Sequence, residues 1–474
     1  MARAPVFFAL AAVLGAPSAA ASPGPDQTAG HPVFTGAVSP HPTSIIGNPA
    51  ALNLGPEGGH VWLGGLVGVD QYRVMVRTID PATGVATDGP RVSARTWSPG
   101  GAFGVYTVQP AFNLAAMVSL PPADEQITDR AALRYHTLGG YRRERTYAAV
   151  AGALRLFNGM YVGGSASYVD TRMVLAFARD TALDGGRGAD GLGLDCSGAP
   201  CGLGNPQADE LYRVEASTWS AKAQTKIAFT MGFVWKVTSQ LTLGAVYREP
   251  QGFNAAITAA GVVAVTAAPR DGGGVRSGAA VLQVVPPQTF EIGARIRSWP
   301  WGETVLGARW LNLSRERALD LRMYGRGLGG VPEWYPRPEG FHDVFQAWGG
   351  IEQHDDGQRF VFGGRVGVDS SATPVDRISP AHVEGAQLTA DVGVQLRILP
   401  TLILDAGYGV RYQPEKNVTT SAYDPIARLD CISADYAYDE PGCAAVRGGY
   451  GTNTATGTYL RVGHVARLGV RWEF

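Results

Sequence analysis

Apolar and polar side chains alternate one by one over long stretches of this chain. At its C-terminal end, one face of the predicted strand carries Ala466, Leu468, Val470, Trp472 and Phe474. The opposite face carries Val465, Arg467, Gly469, Arg471 and Glu473. A period of two is the spacing of a β-strand. A largely charged face opposite an apolar one is typical of a transmembrane β-barrel, because lipid covers the outside and lumenal water hydrates the inside.

The same alternation occurs in the interior of the chain. Residues 219–237, 388–398 and 402–412 each place apolar side chains at every second position. Three of the four lysines share the polar face of the first of these stretches, namely Lys222, Lys226 and Lys236. Helices rarely produce such spacing. These stretches therefore predict further membrane strands around a wet lumen.

Short turns alternate with longer polar loops between the predicted strands. The six short turns lie near residues 109–110, 157–159, 238–240, 299–302, 355–357 and 399–401. A first strand at residues 60–76 and a last strand from residue 456 then give an all-β, antiparallel barrel of about 14 strands. Both chain ends lie on the short-turn side, as in bacterial outer-membrane barrels. The longer loops are then extracellular, at residues 180–212, 251–285, 324–341 and 413–455.

The N-terminus predicts export. A basic Arg3, an apolar run at residues 7–14 and small residues at 18–22 are the parts of a cleaved signal peptide, here residues 1–21. No stretch approaches the roughly 18 consecutive apolar residues that a transmembrane helix needs. The expected location is therefore the bacterial outer membrane, with a barrel as the anchor.

Composition narrows the class of function. The net charge of −1 and the scattered arginines give no reason to expect nucleic acid. Four cysteines, Cys196, Cys201, Cys431 and Cys443, stand in two polar, local pairs and predict two disulfides, although three pairings are possible. A metal site is the alternative, but no histidine stands at ligand spacing. We expect no metal and no cofactor.

The alternative hypothesis from a different functional class is an enzyme, namely an outer-membrane lipase or protease. The sequence contains neither Gly-x-Ser-x-Gly nor His-Glu-x-x-His, and its eight histidines are dispersed. We therefore assign no catalytic residue and expect no enzyme.

The stretch before the first strand differs from the rest of the chain. Residues 22–58 carry seven prolines and lack strand alternation, and near their end stands Asn48-Pro49-Ala50. Here the sequence resembles the FadL-type (FadL/TodX-like) outer-membrane transporters of long-chain fatty acids and other hydrophobic compounds. Those proteins carry an Asn-Pro-Ala motif in an N-terminal hatch that plugs a fourteen-stranded barrel. The resemblance implies a periplasmic hatch at residues 22–58 and a barrel at 59–474.

Two features depart from the family. Residues 36–43 replace the acidic, Ala/Gly-rich stretch that usually precedes the motif, and paired cysteines are unusual there. Pro49 holds Asn48 in an extended conformation, so the motif predicts a rigid corner with the Asn side chain bonded to backbone. An ordinary turn ahead of a strand is the alternative.

Two groups of residues are candidates for ligand binding. An apolar stretch in a predicted extracellular loop supplies Phe253, Ile257, Val262, Val263 and Val265. An exposed apolar stretch of this kind either binds a hydrophobic ligand or packs as a cap on a neighbouring loop. Two lumenal arginines, Arg295 and Arg411, are placed to meet a carboxylate head group, or else pair with lumenal acids such as Glu291, Asp391 and Asp405.

The expected function is gradient-driven uptake of long-chain fatty acids or other hydrophobic small molecules. Expected partners are the substrate, outer-membrane lipid and the barrel-assembly machinery, which would engage the terminus at Trp472 and Phe474. The resemblance implies a monomer. The alternatives are a general porin or an adhesin-type structural barrel, and after these a lipase.

Overall fold

The computed structural model describes residues 33–79, 86–122, 124–127, 138–157, 159–180, 213–223, 226–253, 256–267, 269, 272–316, 318–325, 328, 333–338, 340–355, 359–380, 383, 385–420 and 455–474. The predicted signal peptide and all four predicted disulfide cysteines lie outside these residues.

Nearly all regular structure in the described ranges is β. The segments are β1 (Gly58–Ile79), β2 (Ala86–Val108), β3 (Phe112–Leu120), β4 (Asp124–Ile127), β5 (Leu138–Phe157), β6 (Met160–Asp180), β7 (Arg213–Ala223), β8 (Lys226–Lys236), β9 (Leu241–Glu249), β10 (Ile257–Thr266), β11 (Val275–Val284), β12 (Thr289–Trp299), β13 (Gly302–Leu311), β14 (Ala318–Tyr324), β15 (Trp334–Pro338), β16 (Val344–His354), β17 (Phe360–Asp369), β18 (Gln387–Leu399), β19 (Leu402–Val418) and β20 (Gly457–Glu473). Short 3₁₀ turns occur at Pro42–Ile45, Pro49–Leu54, Leu313–Arg315 and Val375–Arg377. None of the described helices has the length and apolar character needed to cross a membrane.

The segments close into one antiparallel barrel. Six consecutive pairs are the halves of interrupted wall strands, namely β3/β4, β7/β8, β9/β10, β11/β12, β13/β14 and β15/β16. The twenty segments therefore make fourteen wall strands, which confirms the predicted count. Closure joins β1 to β20, from His60↔Glu473 to Val76↔Gly457. The ladder continues to the last residue, where the Phe474 N–H donates to the Gly59 carbonyl at 2.9 Å.

Five of the interrupted strands are neighbours, so the wall is divided into two tiers. The lower halves β8, β9, β12, β13 and β16 continue the closed barrel between β6 and β17. The upper halves β7, β10, β11, β14 and β15 pair with one another and with the upper part of β6. Among described residues, β15 pairs with β14 alone. We call these upper halves the upper sheet.

The predicted faces of the last strand are confirmed. Leu468, Trp472 and Phe474 point outward and are 71%, 58% and 74% exposed, whereas Arg461 and Val465 point inward and are buried. Other strands repeat the pattern: Met231 of β8 is exposed on the outside while Thr230 and Gly232 are buried inside. Such a continuous exposed apolar surface is stable only against lipid.

The six short turns are confirmed, but two predicted loops are wrong. β10 and β11 occupy most of residues 251–285, and β15 lies within residues 324–341. Pro250, Pro286 and Pro287 lie in the interruptions between wall halves. Proline cannot donate a ladder hydrogen bond, so in the sequence an interruption of a wall strand has the same signal as the start of a loop.

The outward face makes lipid contact testable at Leu468. Because the side chain lies in the middle of the outer apolar band of β20, Leu468→Arg should lower the free energy of unfolding in a lipid bilayer by about 2–4 kcal/mol. Urea titration in vesicles measures this, with Leu468→Phe as the apolar control. Equal stability of the two variants would contradict a lipid-facing position.

Candidate functional site

The N-terminal segment, residues 33–57, lies against inward-facing residues of the barrel wall. It contains two 3₁₀ turns that begin with Pro42 and Pro49. Proline fixes its own dihedral angle and keeps the preceding residue extended. His41 and Asn48 are accordingly extended, and their side chains accept the backbone N–H groups of Thr43 at 3.3 Å and Ala50 at 3.2 Å. Two local caps thus make two rigid corners.

Asn48 links the segment to itself and to the wall. Its side chain is fully buried, and Nδ2 donates to the Ala37 carbonyl at 2.6 Å. The same nitrogen lies 3.3 Å from the Phe233 carbonyl of β8 and 3.5 Å from the Ala245 carbonyl of β9. One amide therefore joins the corner at Asn48 to Ala37 and to two neighbouring strands.

Glycines in the wall make room for the segment. A Cβ atom on Gly232 would lie 1.8 Å from the Asn48 side-chain oxygen, and one on Gly244 would lie 2.4 Å from the Ala37 carbonyl oxygen. Across the barrel, a Cβ on Gly363 would lie 2.3 Å from a Val33 methyl carbon. We call these inward positions the glycine track. At these three positions the wall carries no side chain, which leaves room for the backbone or side chain of the segment.

Apolar contacts fill one side of the lumen. Ile45, Ile46 and Leu52 of the segment are buried in a cluster of wall residues comprising Trp62, Tyr106, Val108, Met117, Tyr147, Ala149, Ala151 and Val169. Thr230 of β8 donates its hydroxyl to the Ile46 carbonyl at 3.1 Å. Burial of three large aliphatic side chains is worth several kcal/mol, about 1.5–3 kcal/mol for each.

Charged groups hold the other side of the segment. Arg365 of β17 donates through Nη1 to the Thr35 carbonyl and through Nη2 to Glu352 of β16 at 2.8 Å. Glu352 also accepts from the Phe34 backbone N–H and from Arg295 at 2.9 Å. Arg365 and Glu352 therefore bind the backbone of two consecutive residues, Thr35 and Phe34. We call this arrangement the first ion clamp.

A second ion clamp centres on Glu291 of β12, which is fully buried. Arg309 and Arg248 bind its carboxylate at 2.6 and 3.1 Å, and Arg248 also donates to the Gly47 carbonyl at 3.2 Å. Gly36 passes between the clamps: a Cβ there would lie 3.7 Å from Glu291 and 3.9 Å from Arg365. Buried ion pairs of this kind are costly to break singly, so they fix the segment's position.

A cavity lies between the segment and the wall. Its apolar lining includes Phe34, Trp62, Met117, Leu120 and Pro121. Its polar lining includes His41, Asp405 and Arg467. The mixture suits an amphipathic or aromatic molecule, because an apolar body and a polar end both find partners.

The wall beside this cavity is incompletely hydrogen-bonded. β2 pairs with β3 from Val108↔Asn113 to Gly101↔Leu120, where Pro121 and Pro122 end β3. β4 pairs with β5, and no pairing joins the described residues of β4 to β2. Proline has no N–H to offer. We call this discontinuity the β2–β4 gap.

His41 is buried among cations. Burial first, and then Arg471, Arg467 and Arg365, lower the pKa of His41 from 6.5 to about 3. Its Nδ1 accepts from the Thr43 N–H, which leaves Nε2 as the protonated nitrogen of the neutral ring. The ring meets Trp62 edge to face, with centroids 5.4 Å apart.

The five apolar residues proposed from the sequence do not form one loop. Ile257, Val263 and Val265 are buried in an apolar cluster on one face of β10, together with Met173, Leu175, Ala259, Ala280, Leu282, Val284, Leu321, Met323 and Leu328. We call this the upper cluster. Val262 lies on the opposite face and is 50% exposed, and Phe253, 60% exposed, packs against Phe229. The assignment of these residues to one capture loop is therefore wrong.

The two arginines proposed from the sequence are ion-paired. Arg295 binds Glu303 at 3.0 Å and Glu352 at 2.9 Å. Arg411 binds Asp70 at 3.1 Å. Sequence reasoning missed Arg365, Glu352 and Arg248, whose inward faces are readable from strand alternation but whose contact with the N-terminal segment is not. The predicted disulfides lie outside the described residues.

The fold matches solved structures over nearly the whole chain. A FadL homologue from Pseudomonas aeruginosa gives a TM-score of 0.69 at 15% identity, covering 94% of this chain and 96% of that one. The toluene transporter TodX of P. putida gives 0.62 at 11% identity, with 94% and 99% covered. The toluene transporter TbuX of Ralstonia pickettii gives 0.60 at 15% identity, with 94% and 99% covered.

No protein-family model matches the sequence, and no curated protein matches it. At such low identities the structural likeness establishes a shared fold. The resemblance to FadL-type barrels is thus confirmed for the fold.

Gly232 tests the packing of Asn48. Gly232→Ala places a methyl group on the Asn48 amide, which must give up hydrogen bonds worth about 1–3 kcal/mol. We expect the population with an undocked N-terminal segment to rise about tenfold, seen as more frequent channel openings in planar bilayers. Gly364→Ala is the control, since its nearest neighbour would lie at 3.9 Å. Identical traces would refute the contact.

His41 makes docking of the segment pH-dependent. Because its pKa is about 3 when docked and 6.5 when exposed, the docked state binds fewer protons. Docking is therefore at full strength above pH 6.5 and weakens by about 1.4 kcal/mol per unit as pH falls towards 3. Bilayer conductance between pH 7.5 and 4.5 measures this. His41→Asn keeps an acceptor for Thr43 and should flatten the profile; an unchanged profile would exclude His41 as the cause.

Proposed function

We propose that this protein is an outer-membrane channel for the gradient-driven uptake of hydrophobic small molecules, with residues 22–58 as its hatch and 59–474 as its barrel. One observation carries the proposal. The described part of the N-terminal segment is buried against the lumenal wall, where the glycine track and the two ion clamps hold it, next to a cavity with a mixed apolar and polar lining. A barrel for unselective passage of polar solutes has no use for such an insert.

The shared fold supports this function. The solved structures that match include two toluene transporters, and the FadL homologue matches over nearly the whole of both chains. We propose membership of the same family and a related cargo class, hydrocarbons or fatty acids. Export through a cleaved signal peptide, as the sequence predicts, is part of the same proposal.

We propose that the upper cluster, and not a loop, first captures the hydrophobic cargo from outside the cell. The short turns, together with the start of β1 and the end of β20, mark the periplasmic side, so the upper sheet lies towards the exterior. Its inner face is apolar throughout the upper cluster, whereas the tier below carries the two ion clamps. A hydrophobic molecule would partition into the upper cluster first and then descend to the cavity beside the segment.

Release is proposed through the β2–β4 gap. Leu120 and Pro121 belong both to the cavity lining and to this gap, so a molecule in the cavity needs only a short lateral path to lipid. Apolar cargo loses free energy by entering the bilayer, at about 25 cal/mol per Å² of apolar surface removed from water. Downhill partition supplies the driving force, and no nucleotide is required.

The assembly proposed is a single chain. The wall closes through the β1–β20 ladder of one polypeptide. In the part of the chain that the structure describes, this ladder closes the barrel without a second subunit.

Uptake into liposomes tests the function, with long-chain fatty acids and monoaromatic hydrocarbons as alternative cargo. We expect saturable uptake of one class. Val263→Thr places a hydroxyl in the upper cluster, where burying it costs about 1–3 kcal/mol, so the half-saturating concentration should rise about tenfold. Val262→Thr, on the opposite face of the same strand, is the control.

Two results would contradict the proposal. Non-saturable passage of small sugars at the same rate as hydrocarbons would indicate a general porin. Equal effects of the Val262 and Val263 changes would remove the upper cluster from the path. Heat-dependent mobility on gels identifies folded barrel in each preparation, so a folding defect is not mistaken for a transport defect.

A further inference from the structure

We propose that three outward arginines, Arg73, Arg91 and Arg95, bind the phosphates of phosphorylated glycolipid head groups in the outer leaflet. We call them the arginine triad. The inference rests on the proposed outer-membrane location but not on the identity of the cargo. It assigns this face of the barrel to a specific lipid partner.

The register of β1 and β2 brings the triad together. Arg73 lies opposite Ser93, so its diagonal neighbours across the ladder are Arg91 and Arg95. Diagonal neighbours on one face have their Cα atoms about 7–8 Å apart, within reach of long side chains. All three side chains are exposed. Three guanidinium groups therefore share one small patch of the outer wall.

The triad differs from two other outward arginines of the wall, Arg77 and Arg172. Arg77, four residues further along β1, binds Asp88 at 2.8 Å and Asn417 at 3.0 Å. Arg172, also outward, lies 3.6 Å from Asp170. No described carboxylate lies within ion-pair distance of the triad. Clustered like charges repel one another, so an external anion would stabilise this arrangement.

The height of the triad on the barrel identifies the source of that anion. Below it, towards the periplasmic end, the outward face of β1 and β2 is apolar, with Leu63, Val67, Phe103 and Val105 exposed. Trp97 ends this band, and the Arg95 guanidinium lies 4.7 Å above its ring. Aromatic residues mark the edges of the apolar band of a barrel. The triad therefore lies in the head-group layer of the external leaflet.

The chemistry of arginine selects phosphate in this layer. Guanidinium groups form bidentate, charge-assisted hydrogen bonds with phosphate oxygens. A phosphorylated glycolipid would place its phosphates on the triad and its acyl chains along the apolar band below. A free phosphate ion would gain only the first of these contacts, so the lipid-borne phosphate is favoured.

Native mass spectrometry of the intact barrel in detergent tests the site, with lipid A as the probe. We expect bis-phosphorylated lipid A to bind and the dephosphorylated form to bind far more weakly. Removing all three charges in R73Q/R91Q/R95Q should weaken binding about 100-fold, at roughly fivefold per basic residue. The matched control R77Q/R172Q removes two outward arginines that already have partners and should bind normally.

Equal affinity of the R73Q/R91Q/R95Q variant and the native protein would overturn the proposal, as would equal affinity for the dephosphorylated lipid. Displacement of lipid A by an equal concentration of inorganic phosphate would reduce the site to a free-anion site and also overturn it. Arg→Lys changes at all three positions keep the charge but lose the bidentate geometry, so the affinity for lipid A should fall between those of the native protein and R73Q/R91Q/R95Q. Hydrocarbon uptake by the triad variant in glycolipid-free liposomes is expected to be normal, so failure of the lipid site is distinguishable from failure of the transport function.

Discussion

Closure of the wall through β1 and β20 is the constraint on which the rest of the structure depends. In lipid, every backbone N–H and C=O of the wall needs a partner within the protein, and an antiparallel barrel provides one only when its first and last strands pair. The final bonds, between Gly59 and Phe474, lie next to the point where the N-terminal segment ends. Closure therefore fixes where that segment enters the lumen.

Local patterns in the sequence account for the wall but not for its contents. The outward Leu468 and the inward Arg467 follow from a period of two, and Val465 correctly falls on the inner face. Pro250 ends β9 as it would before a loop, so the sequence alone does not predict β10. Alternation and proline positions predict where one strand segment ends. They do not predict whether a second segment of the same wall strand begins a few residues later.

Contacts inside the lumen are beyond such reasoning because they join distant positions. Arg365 and Thr35 are 330 positions apart, and nothing in the neighbourhood of either residue specifies the other. The Asn-Pro-Ala motif indicates a rigid corner, yet the partner that receives Asn48 is a missing side chain at Gly232. Because the chain contains 63 glycines, the one that makes room for Asn48 cannot be recognised from the sequence. The barrel is thus predictable from the sequence, whereas the ion clamps are defined only by the folded structure.

The two-tier wall has a mechanical consequence. Below the interruptions, load is carried round a closed hoop, and no strand can tilt without breaking ladder bonds on both sides. The upper sheet is joined laterally to β6 and ends at β15, which pairs with β14 alone among the described residues. It is therefore a cantilever, fixed at one side and below, and it bends at far smaller energetic cost than the hoop beneath it. The lower tier of the wall is therefore stiff, and the upper sheet above it is compliant.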